Sequence, residues 1–218
     1  MSEIGWWPWA ALALLGAYHG INPGMGWLFA VALGMQERNP WAVWRSLGPL
    51  AAGHALSIGA VVLLAVLIQV VLPLRILKAA VAAILFTLGL YHLVRHRHPK
   101  GGGMTVGFKD LTIWSFLMAS AHGAGLMVLP ILFGMVAAGP DHGTHAAGHA
   151  MHRAQMGGGT TQALAVVVHT AGYLVVTGLI AWLVYEKLGL ALLRRAWLNL
   201  DLIWCIALVA TGCFVLIS

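Results

Sequence analysis

Charge is scarce in this sequence. Only 8% of its 218 residues are Asp, Glu, Lys or Arg, with six acids against twelve bases. A soluble domain carries about 25% charged residues. With 61% hydrophobic residues and a mean hydropathy of +0.88, the chain holds more apolar side chains than one aqueous core could bury. That excludes a soluble globular domain and predicts a polytopic membrane protein. The net charge of +6 does not point to nucleic acid, because the bases fall in short clusters between apolar runs, as in cytoplasmic loops.

Cysteine is nearly absent. Cys205 and Cys213 are eight residues apart in one apolar segment, which on a helix separates them by roughly 12 Å of rise. They cannot pair with each other, and they say nothing of redox compartment. No Gly-x-x-x-x-Gly-Lys-[Ser/Thr] loop occurs, so energy for any transport would come from an ion gradient or a partner subunit. No Lys or Arg precedes the first apolar run, and no cleavable signal peptide is expected in Met1 to Trp9.

What is present is six apolar segments of helix length, at about 8–35, 46–72, 76–94, 111–138, 161–185 and 193–217. The fold class this predicts is all-α, with six transmembrane helices as two inverted three-helix repeats. Residues 1–98 would form the first repeat, 99–110 a Gly-rich cytoplasmic linker, and 111–218 the second repeat with a His-rich outer loop at 139–160. Trp6, Trp7, Trp9, Trp41, Trp44, Trp182 and Tyr185 flank the segments, as rings that favour the interface do. Nine Lys and Arg fall in loops opposite the N-terminus and three on its own side. That places both termini outside the cytoplasm in an inner-membrane protein. His92, His96 and His98, among Arg95 and Arg97, read as a basic helix end facing anionic headgroups.

The repeat rests on matched residues. Ala17-Tyr18-His19-Gly20 in the first segment parallels Ser120-Ala121-His122-Gly123 in the fourth, and His54 in the second parallels His169 in the fifth. Three helices per half invert the orientation of the second half, which places a site at the midplane between the halves. About ten residues in from a segment end is roughly 15 Å at 1.5 Å per residue. His19 and His122 thus reach the middle of a roughly 30 Å core, and His54 and His169 lie at similar depth.

Neutral imidazole is both the metal-binding form and the form that lipid burial favours. The four histidines therefore read as ligands or as interhelical hydrogen-bonding groups. In the stretch His19-Gly20-Ile21-Asn22-Pro23-Gly24-Met25, Pro23 removes a donor and is expected to free a carbonyl near His19. The Asn22 carboxamide offers an oxygen, and the Met25 thioether suits Cu(I) and other late metals.

That stretch resembles the His-Ala-Leu-x-Pro-Gly-His signature of nickel/cobalt transporters of the NicO type, within the LysE-like transporter superfamily. Gly53-His54-Ala55-Leu56-Ser57 is similar to the His-x-x-Ser element of their next helix. Met25 stands where the family signature has its second His. The resemblance implies transport-site roles for His19 and His54, with Asn22 and Ser57 beside them.

In the outer loop, His142, His145, His149 and His152 at spacings of three, four and three would share one helical face and capture metal at the pathway mouth. The loop is similar to the His-rich loop some of those exporters carry. Asp201 is the one acid well inside an apolar segment, a candidate proton or cation relay or a partner of Arg194 or Arg195.

The expected function is a permease for a transition-metal cation such as nickel, cobalt or copper. Its site would combine His19, Asn22, Met25, His54, Ser57, His122 and His169. No enzymatic activity, organic cofactor or nucleic acid is expected; the partners are the metal ion, the bilayer and a further copy or partner subunit. The outer loop favours uptake and the exporter resemblance favours efflux. Three alternatives use the same residues: a b-type haem electron carrier, a metal-dependent intramembrane hydrolase, and a LysE-like exporter of a non-metal solute.

Overall fold

The computed structural model describes residues 5–69, 73–94, 107–137, 158–188, 206 and 208–213. These residues form helices and no strands. The His-rich loop histidines His142, His145, His149 and His152, together with Asp201 and most of the 99–110 linker, lie outside the described residues.

Helix α1, Trp6–Ile21, carries Pro8 in its first turn, where a missing N–H costs nothing. It stops because Asn22 precedes Pro23, and the pyrrolidine ring disfavours helical backbone one residue upstream. Asn22 is extended (φ −68°, ψ 121°). A single 3₁₀ turn follows over Pro23–Met25, then Gly26 at φ 150°, and α2 resumes at Trp27–Glu37. The sequence predicts one helical segment here, and the structure divides it in two. Arg38 at φ 51° closes α2, and Asn39 accepts from the Trp41 N–H at the start of α3, Pro40–Gln69. Thirty residues rise about 45 Å, with Pro49 tolerated inside. Helix α4 is Leu74–Val94.

The second break is built differently. Helix α5, Phe108–Ala121, starts with Asp110 accepting from the Gly107 N–H and ends without a proline. His122 and Gly123 form the joint, Gly123 at φ 69°, and α6, Ala124–Ala137, leaves at 59° to α5. Helix α7, Gly159–Leu183, closes with a π turn at Val184–Leu188.

The principal pairings join distant parts of the chain: α1 packs on α7 and α3 on α5, with α7 also against α3. Glycines allow the close approach. A Cβ on Gly16 would stand 2.0 Å from the His169 carbonyl oxygen, one on Gly172 2.2 Å from that of Ala13, and one on Gly53 2.2 Å from that of Thr112. Small residues at such seams are how helices associate in lipid, where apolar burial gives no drive.

The surface is as apolar as the core, and a few polar side chains are set within that core. Leu14, Leu56, Leu63, Leu67, Val167, Val175 and Leu179 face outward, while His19, His54, Ser57, Ser115, His169 and Thr177 are buried. Helices Pro40–Ile68 and Gly159–Lys187 are each long and apolar enough to cross a membrane, and the bent pair α5–α6 makes a third if it counts as one span.

Candidate functional site

Three histidines from three helices meet in the interior. His19 comes from the last turn of α1, His54 from the middle of α3 and His169 from α7, all fully buried. Their ring centroids are 5.1 Å apart for His19 and His169, 5.5 Å for His54 and His169, and 5.8 Å for His19 and His54. The glycine seam between α1 and α7 creates this proximity, since it brings the Gly16 backbone onto that of His169.

Hydrogen bonds fix the tautomers. His19 Nδ1 lies 2.8 Å from the Leu15 carbonyl, and His169 Nδ1 3.2 Å from that of Leu12. A carbonyl only accepts, so each Nδ1 carries the hydrogen and each Nε2 keeps its lone pair. A ligating histidine is commonly oriented in this way, by donating its other N–H to a carbonyl. Both nitrogens of His54 are buried without a hydrogen-bonding partner, as is Nε2 of His169. An unmet buried polar group costs about 1–3 kcal/mol, so His54 is held there at a cost.

What holds His54 is Tyr173. Its ring stacks on the imidazole at 4.0 Å and 12°, and its hydroxyl donates to the Met25 carbonyl at 2.7 Å. His54 is in turn parallel to His169, within 3°. No group of three or more His, Cys, Asp and Glu among the described residues is placed to hold a metal ion.

The broken stretch beside the cluster is closed on itself and on its neighbours. The Asn22 N–H donates to the His19 carbonyl at 3.3 Å, so the carbonyl expected to be freed by Pro23 is met. The Asn22 side-chain oxygen accepts from Gly24 N–H at 2.9 Å. Met25 and Gly26 N–H groups turn back to the carbonyls of Asn22 and Pro23. Three aromatic donors take further carbonyls of the stretch: Trp27 Nε1 on Ile21, Trp114 Nε1 on Gly24, and the Tyr173 hydroxyl on Met25. Non-helical backbone at membrane depth persists only when satisfied in this manner. The Met25 side chain packs into the larger apolar core with Leu12, Leu85 and Phe133.

Ser57, one turn beyond His54, shares a 2.8 Å hydrogen bond with Ser120 of α5. Two residues later His122 sits at the α5–α6 joint, with Nδ1 2.8 Å from the Met118 carbonyl. This repeats the i−4 bond of His19 to Leu15. His122 is nearly buried.

Tyr173, Trp114 and Ser120 were not legible as site residues from sequence. Tyr173 lies four residues after His169 on the same helical face, the one signal that points to it. Trp114 and Ser120 carry none, since their partners are distant in sequence. No protein-family model, curated protein or solved structure matches the chain.

Proposed function

We propose that the chain is a membrane permease for a transition-metal cation, with the cargo held among His19, His54 and His169 and with His122 on its path. The observation that carries this reading is the convergence of three buried imidazoles from α1, α3 and α7 at 5.1–5.8 Å. Rings bound to one tetrahedral ion through metal–nitrogen distances of about 2.0–2.1 Å have centroids about 5 Å apart. The spacing suits ligation. The parallel planes of His54 and His169 do not, so loading requires one of them to turn about χ2.

Six crossings in two inverted repeats accommodate the described helices, counting α1–α2 and α5–α6 as broken spans. In support, each break follows a histidine bonded to its own i−4 carbonyl, and α3 and α7 each carry one buried histidine. The exchange of partners, α1 with α7 and α3 with α5, is what a pseudo-two-fold arrangement produces. The count of Lys and Arg by loop supports termini outside the cytoplasm of an inner membrane.

Two rival chemistries fit less well. A haem would need a macrocycle's width between rings that already touch. A hydrolase needs an acid or base beside the ligands, and the described carboxylates Glu37, Asp110 and Glu186 stand at helix ends.

Equilibrium binding of Co²⁺ and Ni²⁺ to protein in nanodiscs tests the reading. About one ion per chain is expected in the wild type, lost in His54→Ala and in His19→Ala. Absence of binding by the wild type, with no uptake of either ion into proteoliposomes, refutes it.

A further inference from the structure

Tyr173 touches both the histidine cluster and the broken stretch. Its ring covers His54, and its hydroxyl reaches across to the carbonyl of Met25 in the broken stretch. Gly26, at φ 150°, leaves room for that hydroxyl, since a Cβ there would come within 2.8 Å of it. Tyr173 is itself fully buried. The parallel stack of Tyr173, His54 and His169 has a chemical cost: neither nitrogen of His54 finds a partner in it.

We propose that Tyr173 is a positioning residue of the histidine cluster, whose ring holds His54 turned away from a ligating orientation while its hydroxyl keeps the α1–α2 break shut beside the same site. This rests on the cluster being the cargo site. For a cation to be held by all three rings, His54 leaves the stack or Tyr173 moves with it. If Tyr173 moves, the Met25 carbonyl loses its donor and the break is released. Orientation of a ligand and closure of the backbone are thereby linked through one residue.

The two contacts separate by mutation. Tyr173→Phe keeps the stack and removes the hydroxyl. Amide hydrogen exchange at Gly24, Met25 and Gly26 should then accelerate about fivefold to tenfold, the equivalent of one net hydrogen bond, with Co²⁺ bound no more weakly than by the wild type. Tyr173→Leu removes the stack, and Co²⁺ should bind about twofold to tenfold more tightly, the range of one aromatic pair. A residue that merely supported the site would change affinity in the opposite sense.

Unchanged exchange in Tyr173→Phe overturns the latch. Equal or weaker Co²⁺ binding in Tyr173→Leu overturns the positioning role. If wild-type protein binds no Co²⁺ at all while exchange in Tyr173→Phe still rises, the cargo reading fails and the positioning role falls with it, leaving a backbone clasp alone.

Discussion

Replacing Gly16 by alanine tests the seam on which the histidine cluster depends. In an isolated helix this change is favourable by about 1 kcal/mol, because glycine loses more backbone entropy on ordering than any other residue. Here the new methyl would sit 2.0 Å from the His169 carbonyl oxygen and 2.9 Å from the Tyr173 nitrogen. Both are backbone atoms, with no rotamer to move aside. Helix α7 must retreat by at least about 1 Å, and a gap of that size forfeits a quarter to a half of each van der Waals contact along the seam. Overpacking of this kind costs about 1–3 kcal/mol. In lipid there is no hydrophobic term to offset it. Gly59→Ala in α3 is the matched control, since a Cβ there meets nothing within 4 Å. Unfolding by SDS in mixed micelles, followed by tryptophan fluorescence, should rank Gly16→Ala about 1–3 kcal/mol below Gly59→Ala. Gly172→Ala presses on the same seam from the other side, where the Cβ would be 2.2 Å from the Ala13 oxygen. Once α7 has retreated the second methyl enters at less cost, so the double variant should lose less than the sum of the singles. Equal stability of Gly16→Ala and Gly59→Ala would refute the close approach of α1 and α7.

Other outcomes follow from the same geometry. Gly53→Ala should destabilise the α3–α5 seam by a similar amount, about 1–3 kcal/mol, because its Cβ would stand 2.2 Å from the Thr112 oxygen; the SDS titration reads it directly. A double-mutant cycle on Ser57→Ala and Ser120→Ala should give a coupling of about 0.6 kcal/mol, and at most about 1.7, as for other interhelical hydrogen bonds in membranes. Arg45 binds both Glu37 oxygens at 2.8–2.9 Å and lies 5.1 Å from the Phe108 ring centroid. With the two side chains 45% and 31% exposed, Arg45→Ala should cost under about 1 kcal/mol, an effect that shrinks as salt is raised.

Much of the site was legible because polar residues inside an apolar segment are conspicuous. His19, His54 and His169 stand out for that reason, but their convergence depends on the glycine seam that brings α1 onto α7, which a depth count does not contain. The interruption at Asn22-Pro23 was readable, since proline constrains its predecessor, though not the division of the segment into two helices. The break at His122–Gly123 was not. No proline marks it, whereas Pro49 and Pro130 sit inside helices that continue through them. A missing donor weakens a helix locally, but the left-handed backbone of Gly123 redirects it. Tyr173 escaped notice because a tyrosine in an apolar run reads as packing; its role is defined by a carbonyl 148 positions away in sequence.

The pairing of α1 with α7 also bears on how the chain is made. Helix α1 ends in a buried histidine and a broken turn, and the groups that satisfy them come later in the chain. His169 reaches back to Leu12 across 157 positions, Tyr173 to Met25 across 148, and Trp114 to Gly24 across 90. Until α7 is inserted, the Met25 carbonyl lacks its tyrosine donor and Gly16 lacks the backbone that packs on it. Contacts of such sequence separation form slowly and leave early segments exposed meanwhile. The polar end of α1 therefore waits for its partners until residues 148 and 157 positions further on are made, so a chain truncated before α7 should be cleared by proteolysis rather than accumulate as a stable fragment.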